Sequence, residues 1–286
     1  MQRALIAGCG ALGSALGRIL ASHRWEVWGL RRNPTALAPP IEPIAGNLAE
    51  PESLRDLPPK LDAVVYACAA GAYDEASYGA AYEPGLENLL AALARQRQSP
   101  SRLLFTSSTR VYGEHFGAWV DEDSATGYDS FAQRALLAGE ALIQRAGGTV
   151  VRFGGIYGPG RTMLLERVRR GEASCAEGVY SNRIHQADCA RVLAHLLQLS
   201  RPAPCYLAVD EEPALLCEVM GWLARELGVA APRRLAGADA SRARRGNKRC
   251  NSRRLLNSGF QFVYPSYRHG YSALVSSIRN SQEDTP

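Results

Sequence analysis

The chain has 286 residues, of which 46% are hydrophobic and 21% charged, so it can bury a sizeable core and is neither disordered nor of low complexity. It contains no internal repeat and no run of about 18 apolar residues, which argues against repeat and membrane-spanning classes. The net charge is +5. No targeting segment precedes the first apolar run, so we expect a cytoplasmic protein without a membrane partner.

Short apolar runs alternate with helical patterns in the first half, which is typical of βαβ units that form a parallel sheet. Strands are predicted over 4–7, 26–30, 43–45, 63–68, 103–106 and 149–153. Helices are predicted over 11–22, 83–97, 131–145 and 189–199. We therefore expect an α/β fold with a Rossmann-like, doubly wound parallel sheet.

The regularity weakens after about residue 155, where Gly and Pro become frequent. A helix over 214–227 is the clearest late element, and residues 205–209 could return to the sheet. We predict a sheet domain over 1–155 with returning segments around 189–210. Residues 156–286 are predicted to form a smaller C-terminal region that mainly binds substrate.

A glycine motif follows the first predicted strand and opens the first helix: GCGALG at residues 8–13. Gly8 permits a tight turn, Gly10 lets the backbone approach a pyrophosphate, and Gly13 allows close packing of helix on strand. The helix N-terminus attracts anionic oxygens. In this context the motif predicts dinucleotide binding, with Ala11 and Leu12 among the contacting residues.

The second predicted strand ends in GLRRN, with Arg31 and Arg32 where an NAD-binding chain carries an acidic residue for the ribose hydroxyl. Two guanidinium groups suit a 2′-phosphate instead. NADP(H) is therefore the expected cofactor, favoured over NAD(H), and residues 1–155 form the predicted NADP-binding domain.

Seven cysteines are present, an odd number without a C-x-x-C pair. They predict neither a disulfide framework nor a zinc site, so we expect reduced, structural thiols. The histidines show no metal-ligand spacing, and no metal is expected.

A basic segment over 233–254 holds nine basic side chains and one acid, so the rest of the chain is slightly acidic. It could be a solvated loop or a site for an anionic ligand. Nucleic acid is not an expected partner, because the segment lacks interleaved aromatic residues.

Three further strings carry a resemblance to a known family. They are FTSSTRVYG at 105–113, RFGGIYGPGR at 152–161 and RIHQADCA at 183–190. In this order and spacing they resemble the extended short-chain dehydrogenase/reductases, in particular the NAD-dependent epimerase/dehydratase group. The resemblance implies oxidoreductase or epimerase chemistry and a homodimer. The cofactor contacts expected near the third and fourth strands are Asn47, Leu48, Ala67, Cys68 and Ala69.

Chemistry in this family uses a Tyr, a Lys four residues later, a Ser and an upstream Asn. Ser108 stands at the Ser position, four residues before Tyr112. Aligning Glu140 with the family's acid four residues after the Lys puts Leu136 at the Lys position and Ala132 at the Tyr position. The resemblance thus implies an atypical active site.

Three tyrosines are the candidate proton donors: Tyr82, which occupies the Asn position, Tyr112 and Tyr128. Tyrosines at such positions are more often structural or packing residues than acids. Arg134 could supply positive charge near Tyr128 but cannot relay protons, because Arg stays protonated. His185 and Asp188 are expected to brace the substrate side.

Two functions remain open. One is an NADP(H)-dependent oxidoreductase or epimerase/dehydratase-like enzyme that acts on a small carbonyl or nucleotide-sugar-like substrate, which could be anionic. The other is a non-catalytic NADP(H)-binding protein that senses redox state or binds a partner.

Overall fold

The computed structural model describes residues 1–113, 115–243 and 246–283, which divide into two compact units. The first consists of Met1–Val111, Thr126–Arg152 and Ala190–Tyr206, and the second of Tyr112–Ala125, Phe153–Cys189 and Leu207–Pro286. That residues 156–286 mainly bind substrate stays a prediction.

The strands and helices follow in chain order. The strands are β1 (Arg3–Ala7), β2 (Glu26–Arg31), β3 (Ile41–Ala45), β4 (Ala63–Tyr66), β5 (Arg102–Ser108), β6 (Trp119–Val120), β7 (Thr149–Phe153), β8 (Gly155–Tyr157), β9 (Ser174–Cys175), β10 (Tyr180–Ser181), β11 (Arg183–His185), β12 (Cys205–Ala208), β13 (Ala214–Leu215), β14 (Arg233–Arg234) and β15 (Arg249–Cys250). The helices are α1 (Ala11–Ser22), α2 (Glu75–Tyr82), α3 (Pro84–Arg95), α4 (Phe131–Arg145), α5 (Met163–Arg169), α6 (Gln186–Gln198), α7 (Leu216–Leu227), α8 (Gly237–Ala243), α9 (Arg253–Asn257) and α10 (Tyr267–Glu283).

Seven strands form one sheet in the order β12-β7-β5-β4-β1-β2-β3. The neighbouring strands from β3 to β5 pair in parallel. The predicted Rossmann-like α/β fold with a parallel sheet and flanking helices is confirmed. The chain leaves β1 toward β2 on one side and reaches β4 on the other, so the carboxyl ends of β1 and β4 flank a topological switch point.

Glycines let two helices approach the sheet closely. On α1, a Cβ at Gly13 would lie 2.9 Å from the Ile6 side chain, and one at Gly17 would lie 2.6 Å from Ile41. On α4, a Cβ at Gly139 would lie 2.6 Å from the Phe105 ring. Substitution at these positions would push the helices off the strands that carry the candidate site.

The cysteine expectation is wrong for one pair, because Cys175 and Cys217 form a disulfide. Strand β9 and the first turn of α7 both line the buried core of the second unit and place the two Cα atoms 5.4 Å apart. That separation suits a disulfide, and 42 residues of intervening sequence hide it from spacing arguments. The other five cysteines form no disulfide with any residue that the structure describes.

The basic segment finds many of its partners within the second unit. Arg254 pairs with Asp123 at 2.6 Å, and Arg249 lies over the rings of Trp119 and Tyr180, 5.0 Å from each centroid. Arg244 and Arg245 lie outside the described residues. These contacts give the segment a structural role, and an anionic ligand bound there stays a prediction.

None of the helices in the described part of the chain is long and apolar enough to cross a membrane.

Candidate functional site

A tight turn after β1 brings the carboxyl ends of three strands together. Gly8 has φ +76°, a conformation that favours glycine, and a Cβ there would lie 2.5 Å from the Cys68 Sγ atom. The backbone N–H groups of Gly8 and Cys9 both donate to the Leu30 carbonyl of β2. The residue after β4, Ala67, donates its N–H to the Ala7 carbonyl at 2.8 Å.

The N-terminus of α1 fits an anionic group. Its N-cap is Gly10, which has no side chain that could cap the helix. The first turn of the helix holds no acidic residue. A Cβ at Gly10 would meet only the Gly8 carbonyl oxygen, at 3.9 Å, so the space above this glycine is open. The amide N–H groups of the first helical turn and the positive end of the helix dipole therefore suit an anionic group such as a diphosphate.

Arg31 and Arg32 lie beside this cradle. Arg31 ends β2, and its Nη1 atom reaches back to the Cys9 carbonyl oxygen at 3.5 Å. Burial raises the pKa of the Cys68 thiol to about 12, while the Tyr66 hydroxyl and the charge of Arg32 act in the opposite direction. Within the described ranges, neither guanidinium pairs with a carboxylate.

The remaining predicted cofactor residues follow β3 and β4. Asn47 donates its side-chain amide to Glu50, and the Leu48 carbonyl accepts from Asn88. Ala67, Cys68 and Ala69 follow β4, next to the glycine turn. Their position agrees with cofactor contacts, which stay a prediction.

Ser108 is the last residue of β5, at the carboxyl end of the strand. Its Oγ atom accepts a hydrogen bond from the Arg110 N–H at 3.2 Å, inside the short 3-10 turn over Thr109–Val111. The hydroxyl is half-buried and keeps its own hydrogen for another acceptor.

Helix α4 presents an apolar face at the two positions that the register from Glu140 assigns to the family's Tyr and Lys. Glu140 lies buried on this helix, bonded to Arg152 at 2.7 Å and to the Ser107 hydroxyl at 2.5 Å. Ala132 and Leu136 precede it by eight and four residues, lie on the same face and are both buried. With the register taken from Glu140, apolar side chains therefore occupy the positions expected for the Tyr and the Lys.

The three candidate tyrosines differ in their surroundings. Tyr82 is buried at the end of α2; burial raises the pKa of its phenol, while the Ala70 backbone N–H and the charge of Arg110 lower it. Tyr128 is 63% exposed and precedes the α4 N-cap, Ser130. Tyr112, in the second unit, is buried and donates its hydroxyl to the Asp121 carbonyl at 2.6 Å.

Sequence reasoning missed two residues in this part of the first unit, Tyr73 and Arg110. The Arg110 Nη1 atom donates to the Tyr73 hydroxyl at 3.0 Å, and the guanidinium carbon lies 4.9 Å from the centre of the Tyr73 ring. Arg110 stands inside the string that carries the family resemblance, but the pairing joins residues 37 apart and leaves no signal in the sequence.

His185 and Asp188 have bracing roles in the second unit. The Asp188 carboxylate accepts the backbone N–H groups of Val263 and Tyr264 at 3.0 and 2.9 Å, and the His185 ring packs on Tyr264. Burial lowers the pKa of His185, partly offset by Asp188. Among the residues with described positions, no group of His, Cys, Asp or Glu could hold a metal ion.

Most of the chain matches a known protein family. The model of the NAD dependent epimerase/dehydratase family matches residues 4–198. A solved structure from Methylobacillus flagellatus, assigned to the NAD-dependent epimerase/dehydratases, is 33% identical, with 97% of this chain and 99% of that chain covered and a TM-score of 0.81. No curated protein sequence matches the chain significantly.

Two further solved structures are similar in fold and hold a cofactor. Human epimerase family protein SDR39U1, solved with NADPH, is 22% identical over 96% of this chain and 99% of that chain, with a TM-score of 0.76. Thermus thermophilus UDP-glucose 4-epimerase, solved with NAD, is 20% identical over 98% of this chain and 100% of that chain, with a TM-score of 0.80.

Proposed function

Because the chain belongs to the NAD dependent epimerase/dehydratase family, we propose that it is an NADP(H)-dependent oxidoreductase or epimerase/dehydratase-like enzyme. Its substrate is a small carbonyl or sugar-like compound. The general activity, that of an oxidoreductase or epimerase, is proposed from the family. The cofactor preference and the roles of individual residues are proposed from the site of this chain.

The observation that carries the proposal is the position of Arg31 and Arg32 beside an open glycine cradle. Arg31 ends β2, at the position where an NAD-specific chain carries a carboxylate. Its side chain reaches the carbonyl of Cys9 inside the glycine motif. One similar fold holds NADPH and another holds NAD, so the fold accommodates either cofactor. The two arginines favour the cofactor with the extra phosphate.

Each part of the site then has a task. The cofactor, when bound, supplies a nicotinamide ring that exchanges hydride with a substrate carbon. Gly8, Gly10 and the N-terminus of α1 hold the diphosphate, and the two arginines hold the 2′-phosphate. Ser108 donates a hydrogen bond to the reacting oxygen.

Tyr82 is the best supported of the three proton donors. Burial raises the pKa of its phenol, whereas the Ala70 backbone and the charge of Arg110 lower it and would stabilise the phenolate that remains after proton transfer. The Tyr112 hydroxyl is already bound to a backbone carbonyl. Tyr128 is exposed, and only Ala132 stands four residues beyond it.

A non-catalytic NADP(H)-binding protein is the second candidate, and the apolar face of α4 favours it. Ala132 and Leu136 cannot transfer a proton or lower the pKa of a phenol. In this case the cradle would report the redox state of the cofactor to a partner.

Turnover of carbonyl and sugar substrates with NADPH, measured for the wild type and for Ser108→Ala, separates the two candidates. An enzyme loses turnover by about tenfold or more in the variant while its NADPH affinity is unchanged. If both proteins bind NADPH with the same affinity and neither turns over any substrate, the non-catalytic binding protein is favoured. Turnover that does not depend on NADP(H) contradicts the proposal.

A further inference from the structure

Arg110 is an exposed cation just beyond the carboxyl end of β5, and the proposed chemistry uses its charge near Tyr82 but none of its N–H donors. It stands two residues beyond Ser108, and its backbone N–H bonds the Ser108 hydroxyl oxygen. The side chain therefore starts from the same short turn as the group proposed to hold the reacting oxygen. Its charge is close enough to Tyr82 to lower the pKa of that phenol.

Tyr73 contacts the guanidinium of this exposed side chain in two ways. Tyr73 accepts a hydrogen bond from its Nη1 atom and offers its ring face at 4.9 Å. The Tyr73 ring is itself supported by Tyr78 and Phe131, with centroids 5.6 and 5.1 Å away. An exposed Arg side chain loses substantial rotamer entropy when it is fixed in this way.

No acidic residue in the described ranges neutralises Arg110. Arg134 on α4, by contrast, pairs with Glu75 at 3.2 Å and donates to the Tyr128 carbonyl. Tyr73 uses one of the five N–H donors of Arg110. The others stay available on a fork whose spacing matches a carboxylate or a phosphate.

We propose that Arg110 binds an anionic group of the carbonyl substrate, a carboxylate or a phosphate, and that Tyr73 orients it for this purpose. The inference rests on the proposed function and narrows it from carbonyl compounds in general to anionic ones. Arg110 is the specificity-determining residue, and Tyr73 is a positioning residue.

The test uses the full chain saturated with NADPH, so that the cradle and its two arginines are already occupied. Two probes are titrated by calorimetry: oxalate, which presents the carboxylate of a 2-oxo acid, and inorganic phosphate. Arg110→Gln is compared with Arg145→Gln, which makes the same charge change at an exposed position in the last turn of α4.

We expect at least one probe to bind, and Arg110→Gln to weaken it by about tenfold or more. The probe that binds better identifies the anionic group. Arg145→Gln leaves the affinity unchanged, and Arg110→Lys restores it only in part, because Lys lacks the planar fork. Tyr73→Phe gives a smaller loss, since it keeps the ring and removes the hydroxyl.

This inference is overturned if the wild type binds NADPH normally but binds neither anion, or if Arg110→Gln binds the anions as tightly as the wild type does. The proposed function would still stand in both cases. Failure of the wild type to bind NADPH overturns the proposed function, and the inference falls with it. NADPH affinity measured for every variant shows that its fold is intact.

Discussion

Asp210 is a buried carboxyl group, and within the described part of the chain neither of its oxygen atoms has a hydrogen-bond partner of normal geometry. Burial raises its pKa well above the ordinary value, although Arg183 and the Glu212 backbone amide act in the opposite direction. The folded protein thus keeps this proton over a pH range in which the unfolded chain has released it. The contribution of this group to stability is full below the unfolded pKa of about 4 and is lost as the pH rises toward the folded pKa.

We predict that Asp210→Asn, which mimics the neutral carboxyl, becomes more stable relative to the wild type as the pH rises. Urea unfolding of both proteins at pH 5 and pH 8 gives the difference in the free energy of unfolding at each pH. A difference that is the same at pH 5 and at pH 8 would show that Asp210 is ionised in the folded protein throughout this range, contrary to this account.

Individual residues of the cradle could be predicted because their roles depend on local sequence. Gly8 needs a positive φ in a strand-to-helix turn, and Arg31 ends the neighbouring strand. Long-range pairs could not be predicted. The contact of Arg110 with Tyr73 depends on how α2 and the β5 turn meet, which the order of residues does not encode locally.

Among the elements, α4 and β5 are tied together by a buried network. Glu140 on α4 accepts bonds from Arg152 of β7 and Ser107 of β5, and all three side chains are buried. The capping box between Ser130 and Gln133 fixes where the helix begins. Together these contacts set the face of α4 that lies toward the sheet.

We predict that Glu140→Leu lowers the free energy of unfolding by about 3–5 kcal/mol, because it removes the carboxylate from a buried guanidinium. Glu52→Leu is the matched control, since it breaks an exposed ion pair with Arg55 and costs about 1 kcal/mol or less. Equal losses in the two variants, measured by urea unfolding, would contradict the structural role given to the network.

The long amphipathic elements were predictable and the short ones were not. Helices α1 and α4 have the predicted bounds, because their apolar stripes and flanking residues are regular. Helix α2 was missed, since its eight residues carry little apolar periodicity. The two-residue strands β9 and β13 depend on pairing with distant partners, β14 and β10.

For the whole molecule, the disulfide closes a loop between β9 and α7 in the core of the second unit. Such a bond restricts the unfolded chain, and a loop of this length gives about 2–4 kcal/mol.

We therefore predict that a reducing agent lowers the free energy of unfolding of the wild type by about 2–4 kcal/mol. The double variant Cys175→Ser, Cys217→Ser serves as the control, because it cannot form the bond and does not respond to reduction. A wild type that unfolds identically with and without the reducing agent would show that the two thiols are not bonded.

The central claim is that the glycine cradle and its two arginines select NADP(H). Calorimetric titration of the purified protein with NADPH and with NADH tests it most directly, together with Arg31→Ala and Arg32→Ala. We predict that NADPH binds about tenfold or more tightly than NADH, and that each variant loses this preference while it keeps its affinity for NADH. Equal binding of the two cofactors in all three proteins, or no binding of either, would contradict the account.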